Sequence, residues 1–186
     1  MDLSPLQLKH YHFVEFNLKA SESVKPKEIE TDGTPYPLFV NVDFDVEVML
    51  GLTKAEPDPH MFAVRLTAFG TPKSNSKFPY QFSATVEGVF EIAHDADLDE
   101  RKRLVIVNGA GVLYSAVREQ LLALSSRSSH GAMLLPTADF RSLFVDKKTP
   151  KVEKQLVVPK GLTKKLGKSA TTSAHAVKTK KGKSLV

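Results

Sequence analysis

The chain has 186 residues, of which 41% are hydrophobic and 25% are charged, proportions that exclude a chain disordered throughout. It contains no Cys, which excludes disulfides, thiolate zinc sites, iron–sulfur clusters and cysteine nucleophiles. No apolar run is long enough to span a membrane, and the first residues lack the basic and apolar regions of a signal peptide. We therefore expect a cytoplasmic protein without membrane insertion.

The net charge of +5 averages two unlike regions. Residues 147–186 contain 12 Lys, no Arg and a single acid, Glu153, which gives a charge of +11. Residues 1–146 hold 14 Lys and Arg against 20 Asp and Glu, a charge of −6. The sequence thus predicts an acidic folded domain over 1–148. It predicts a disordered Lys-rich tail over 149–186, where few apolar groups offset the chain entropy.

Four segments have the composition of β-strands. The first, Leu8 to Lys19, is rich in β-forming residues and is followed by a proline-rich loop over 21–37. Over 40–50, apolar residues alternate with polar ones, which predicts a half-buried strand with one acidic face. Two further strands are predicted over 61–69 and 80–92. The short connections between them favour an antiparallel meander.

The periodicity then changes to that of helices. Asp97 and Glu100 have the spacing of a capping box, which predicts that a helix begins near Leu98. We expect an interruption at 108–111, which contains Asn and two Gly, and a second helix over 112–126. Strands followed by helices indicate an α+β fold, a four-stranded antiparallel sheet with two C-terminal helices packed on one face. Three further apolar residues could dock onto that sheet: Phe140, Leu143 and Phe144.

The patterns that suggest catalysis or metal binding are incomplete. Gly161 and Gly167 are separated by five residues, whereas a phosphate-binding loop requires four, and no predicted strand precedes them. His10 and His12 would share a strand face, but no third ligand has a suitable spacing, so we interpret them as surface residues. We predict a protein that is not an enzyme and that needs no cofactor or metal.

Three stretches resemble the SecB family of export chaperones. In chain order they are VNVDFD at 40–45, EGVFEI at 87–92 and VLYSAVRE at 112–119. They are similar to that family's second strand, the end of its fourth strand and the opening of its long helix. As in the family, a segment with Leu, Pro, Phe and Leu-Phe follows, here from Leu134 to Phe144.

The resemblance implies a SecB-like fold that assembles as a homotetramer, a dimer of dimers, and binds unfolded client polypeptides in apolar grooves without ATP. The client could be an exported precursor or, as for some relatives, the antitoxin of a toxin–antitoxin pair. A helix with apolar residues on more than one stripe leaves surface available for such a groove. The residues that we expect to line it are Val42, Phe44, Val46, Leu113, Tyr114, Val117 and Leu121. The acidic residues that we expect to contact a partner are Asp43, Asp45 and Glu47.

Some positions depart from the family pattern. Gln81 and Ser83 stand where relatives that engage the translocase motor SecA have an apolar and an acidic residue, so binding of SecA stays an open alternative. The basic tail is unlike the acidic C-terminus common in the family. A second interpretation is therefore a nucleic-acid- or ribosome-associated protein that acts through this tail. A third is a scaffold whose acidic sheet face binds a basic partner.

Overall fold

The computed structural model describes residues 3–54, 56–93 and 95–144. It contains four strands, β1 (Leu6–Ala20), β2 (Val42–Leu52), β3 (Met61–Pro72) and β4 (Tyr80–Ile92), and one long helix, α1 (Leu98–Ser125). Two single turns of 3-10 helix span Pro26–Glu28 and Phe140–Phe144. The Lys-rich tail predicted over 149–186 lies outside the described residues. No helix within the described ranges is both long enough and apolar enough to cross a membrane.

The four strands form one antiparallel sheet in the order β1-β4-β3-β2. The predicted meander is confirmed for β2, β3 and β4, which follow one another through short connections. It is wrong for β1, which pairs with β4 and forms the opposite edge of the sheet. This arrangement is a Greek key, in which a long connection, residues 21–41, joins the two edge strands.

Strict alternation along the central strands separates the two faces of the sheet. The core-facing residues of β3 are at most 1% exposed, and they include Phe62, Val64 and Leu66. The acidic residues of β2 are exposed on the opposite face, as their spacing predicts. The packing helix therefore lies on one face only, and the other face is mainly polar, with some apolar residues such as Met61 and Phe69 of β3.

The sequence predicts two helices, but the structure has one continuous helix of 28 residues. Its N-terminus is where the capping box predicts it, because the Asp97 carboxylate accepts a hydrogen bond from the Glu100 N–H at 2.8 Å. Gly109 does not interrupt the helix. It lies against the sheet, where a Cβ would be only 3.2 Å from Cε2 of Phe90. The glycine thus permits a close approach of helix and sheet, which offsets its poor helix propensity.

One helix is too narrow to cover this sheet. A helix is about 10 Å wide, whereas four strands spaced about 4.8 Å apart span about 19 Å. Helix α1 lies mainly over β3 and β4, and the apolar residues of both edge strands stay half-buried. On β1 these residues, the β1 strip, are Leu6, Leu8, Phe13, Phe16 and Leu18. On β2 these residues, the β2 strip, are Val42, Phe44, Val46, Val48 and Leu50.

The turn Phe140–Phe144 packs against α1 and does not dock on the sheet as predicted. Earlier in the same segment, Met133 and Leu135 are buried in the core, and the Gly131 carbonyl oxygen accepts a hydrogen bond from the Tyr80 hydroxyl of β4. The Phe140 ring, 8% exposed, packs edge-on against the Tyr114 ring with centroids 5.6 Å apart. Leu143 is 46% exposed. The helix itself therefore supplies the surface that this turn covers, because the sheet beneath it is already occupied.

Two glycines of α1 should respond in opposite ways to substitution. Gly109→Val should lower the free energy of unfolding by about 1–3 kcal/mol, because the new side chain would overpack against Phe90. Gly111→Ala, the control, should raise it by about 0.5–1 kcal/mol, since nothing lies within 4 Å and alanine favours the helix. Urea denaturation of both variants measures this difference, and a stable Gly109→Val would contradict the close approach.

Candidate functional site

The β2 strip carries three of the predicted client-contacting residues. Val42, Phe44 and Val46 are half-buried on the face of the sheet that packs against α1. They alternate with Asp43, Asp45 and Glu47, so the strand has one apolar and one acidic face. Among the strands that the structure describes, β2 pairs only with β3, so its apolar side chains are next to a free strand edge. Their accessible surface is available to a second chain.

The four helix residues predicted for the same groove have a different position. Leu113, Val117 and Leu121 have no exposed surface, and Tyr114 is 4% exposed. The three aliphatic side chains belong to the core between α1 and the sheet, so a client cannot contact them in this conformation. These apolar residues of the helix are therefore buried within their own domain.

A surface pocket of about 330 Å³ lies beyond the end of the β2 strip. One wall is the loop between β1 and β2, and the other is the segment that follows α1. The lining residues from the loop are Asp32, Thr34, Tyr36, Pro37, Leu38 and Phe39. The lining residues from the helix and the following segment are Arg118, Leu134, Leu135, Pro136 and Thr137. The sequence does not predict this pocket, because most residues of its first wall lie in a segment with the composition of an ordinary loop.

The loop wall is held in place by local contacts. The Leu38 N–H donates to the Glu30 carbonyl oxygen at 2.9 Å, which closes the loop on itself. The Phe39 ring packs against the buried Phe78 ring with centroids 4.4 Å apart. A cluster of aromatic residues close to a run of prolines is the sequence signal that could have indicated a packed loop.

The second wall is fixed by side chains of α1 that donate to its backbone. The Tyr114 hydroxyl donates to the Pro136 carbonyl oxygen at 2.6 Å, and Nε of Arg118 donates to the Leu135 carbonyl oxygen at 2.9 Å. Burial raises the pKa of Tyr114 to about 12, and the nearby Arg118 charge acts in the opposite direction. The phenol therefore stays protonated and able to donate over the physiological range.

The pocket and the β2 strip are continuous. The Phe39 ring, which lines the pocket, lies 5.7 Å from the ring of Phe44 in the strip, in an edge-on arrangement. We refer to the pocket and the β2 strip together as the groove. It offers apolar side chains, a free strand edge and one cation, Arg118, which are groups that bind a polypeptide in an extended conformation.

The open face of the sheet is polar and partly paired. Nε of Arg65 donates to the Glu87 carboxylate at 2.6 Å, and Nε2 of His12 lies 3.7 Å from the same carboxylate. By contrast, the three acids of β2 form no ion pair with any residue that the structure describes. Within the same ranges, no group of three metal-ligating side chains exists that could hold an ion.

Contacts around the buried Arg101 fix the opposite end of α1. Arg101, 5% exposed, donates to the Pro59 carbonyl oxygen at 3.0 Å and forms an ion pair with Asp58. Nδ1 of His60 is 2.8 Å from the Ile92 carbonyl oxygen. Hydrogen bonding from Arg101 lowers the pKa of Asp58. These contacts attach the β2–β3 connection to the helix.

Comparison with known proteins finds no matching family model and no matching curated protein, but it does find similar solved structures, two of which are described here. One structure is a SecB-like chaperone of Mycobacterium tuberculosis in complex with a ChAD peptide from the HigA1 antitoxin. It is 14% identical over 72% of this chain and 91% of that chain, with a TM-score of 0.48. The other is a protein of unknown function from Streptococcus agalactiae. It is 12% identical over 71% of this chain and 97% of that chain, with a TM-score of 0.42.

The first of these structures bears the name of the family that the sequence motifs resemble. The chain is similar to that SecB-like chaperone at low sequence identity.

The pH dependence of stability should reveal the Tyr114 hydrogen bond. Above pH 10 the phenol of the unfolded chain ionises, while the folded phenol stays neutral up to about pH 12, so stability falls across this window. Tyr114→Phe should remove up to about 2–3 kcal/mol of this loss. At neutral pH it should cost about 1 kcal/mol, because the hydrogen bond to Pro136 is gone.

Urea denaturation between pH 9 and pH 12 is the measurement. Tyr11→Phe, in a ring that is 48% exposed and has no described hydrogen bond, is the control and should leave the neutral-pH stability unchanged. A Tyr114→Phe variant with the full alkaline loss of stability would show that another group causes it.

Proposed function

We propose that this protein is a molecular chaperone that binds non-native polypeptides in the groove without ATP. The observation that carries the proposal is the continuity of accessible apolar surface from the pocket, through Phe39 and Phe44, into the β2 strip. A folded client hides its apolar side chains, whereas an unfolded one presents them. The groove therefore discriminates between the two by what each exposes.

The binding energy comes from burial and from strand pairing. Each large apolar side chain of a client that becomes buried contributes roughly 1.5–3 kcal/mol. The free edge of β2 can pair with the backbone of an extended segment, which needs no particular client sequence. A client in this position would place alternate side chains toward the β2 strip. Burial and pairing use no nucleotide, so capture and release depend on the folding of the client.

We further propose that the protein assembles as a dimer of dimers. The β1 strip, with the 48% exposed Tyr11 beside it, and two apolar residues of α1 supply surface for contacts between subunits. Those helix residues, Val112 and Leu124, are each 43% exposed. Several grooves on one oligomer would bind distant segments of the same unfolded chain, and the resulting effective concentration raises the overall affinity.

The identity of the client can be determined by recovering the protein from cells together with the chains bound to it. Export predicts that secretory precursors are recovered with the protein, whereas antitoxin protection predicts one small partner. The exposed acids Asp43, Asp45 and Glu47 are the proposed surface for a basic partner or for SecA. Both roles place the protein in the cytoplasm, and neither requires an enzymatic activity.

Substitutions in the groove should weaken chaperone action without unfolding the domain. Leu38→Gln combined with Leu134→Gln removes apolar surface from both walls of the pocket. About tenfold more protein should then be needed to suppress aggregation of a denatured, slow-folding test protein. Val40→Gln, at a 45% exposed residue outside the pocket lining, is the control and should act like the wild type.

Light scattering during refolding, with and without ATP, measures this effect, and thermal melts verify folding. Full activity of the double variant would remove the pocket from the mechanism. A wild-type protein that fails to slow aggregation would contradict the proposed function as a whole.

The strongly basic tail supports a second candidate, binding of RNA or DNA. Deletion of residues 149–186 removes most of the +11 charge and should abolish any salt-sensitive binding of a labelled RNA. Because the groove lies within 32–50 and 118–137, the same deletion should leave aggregation suppression intact if the chaperone proposal is right. Loss of both activities would link the tail to client binding.

A further inference from the structure

One cationic side chain lines the pocket, and no neighbouring acid neutralises it. Nε of Arg118 donates to the Leu135 carbonyl oxygen, which fixes the guanidinium at the pocket wall. Its two terminal nitrogens have no hydrogen bond or ion pair with any residue that the structure describes. These two nitrogens are also accessible to solvent. Among the described residues, the buried side-chain polar atom that lacks a partner is Nε of Arg101 and not an atom of Arg118. Arg118 therefore presents two free NH2 groups, with four N–H donors, to an incoming ligand.

No acid that the structure describes forms an ion pair with Arg118. The residues three and four positions away on α1, which share its helix face, are uncharged: Tyr114, Ser115, Leu121 and Leu122. Asp32 lines the same pocket, but its carboxylate accepts a hydrogen bond from the Thr34 hydroxyl at 2.8 Å and forms no described ion pair with Arg118. A half-buried cation beside apolar walls favours an anionic ligand.

We propose that the groove selects client segments in which a carboxylate adjoins a large apolar residue. The apolar side chain would occupy the pocket between Leu38, Phe39 and Leu134, and the carboxylate would accept hydrogen bonds from the guanidinium of Arg118. The carboxylate can belong to an Asp or Glu side chain or to a chain end. This inference rests on the proposed function and adds a specificity-determining residue to it.

The charge of the chain's own tail makes it a poor occupant. Residues 147–186 carry 12 Lys and one acid, so this segment would bring positive charge to Arg118. Its composition is also poor in the large apolar side chains that the pocket accommodates. An external segment with an acidic residue next to an aromatic one satisfies both parts of the pocket.

The test compares peptides that differ in a single charge. The probes are a fluorescein-labelled peptide Ser-Gly-Phe-Leu-Phe-Asp-Ser-Gly-amide and its counterpart with Asn in place of Asp. Fluorescence anisotropy with the full chain should give about threefold to tenfold tighter binding of the Asp peptide. Added salt should reduce that ratio. A peptide that ends at the second Phe, free or amidated, determines whether a chain end can replace the side chain.

Variants assign the effect to its residue. Arg118→Gln should bind the Asp and Asn peptides equally, while Arg127→Gln, an exposed arginine outside the pocket lining, should keep the ratio. Asp32→Asn should tighten binding of the Asp peptide by about twofold, because it removes a negative charge from the lining. The two peptides on the wild-type protein provide a test that is independent of how well any variant folds.

The outcomes separate this inference from the proposed function. Equal binding of the Asp and Asn peptides by the wild type would overturn the carboxylate preference and leave peptide binding in place. A preference that persists in Arg118→Gln would overturn the role of that residue. Failure of every peptide to bind would overturn the inference and the proposed function together.

Discussion

The mismatch in width between one helix and four strands is the constraint on which the rest of this structure depends. Helix α1 lies mainly over the central strands, so the apolar side chains of the edge strands stay half-buried. The chain compensates partly at one end, where the β1–β2 loop and the segment after α1 add two walls. The groove begins in the pocket between these walls and continues along the β2 strip, which they leave half-buried. The incomplete cover of this edge supplies the surface for the proposed chaperone function.

Much of the fold could be predicted from local patterns. Tyr80–Ile92 was predicted with its observed bounds, because strict alternation and flanking loops both mark the strand. The helix start at Leu98 followed from the capping box. The edge position of β1 was not accessible, since pairing across 60 or more residues leaves no local signal. The sequence predicts a break in the helix at Gly109, because only the tertiary contact with the Phe90 ring shows that this glycine serves packing.

The candidate site was predicted in part. Alternation correctly placed Val42, Phe44 and Val46 opposite the acids of β2, although their role in client binding stays a prediction. Leu113, Val117 and Leu121 were chosen for their apolar stripe, but a stripe cannot tell whether it faces a client or its own sheet. The pocket residues lie in two segments without periodicity, and a third element, the helix, joins them. Such a site depends on tertiary contacts that no sequence window contains.

The attachment of the segment after α1 has a consequence for how binding preferences can diverge. The hydrogen bonds that hold this segment are donated by Tyr114 and Arg118 to the main-chain oxygens of Pro136 and Leu135, respectively. Any amino acid at those two positions would supply such an oxygen. The side chains of Leu134 and Thr137, which line the pocket, take no part in these hydrogen bonds. Substitutions at Leu134 and Thr137 can therefore change the chemistry of the pocket lining while the backbone keeps its shape, so that new targets become accessible at little cost to folding.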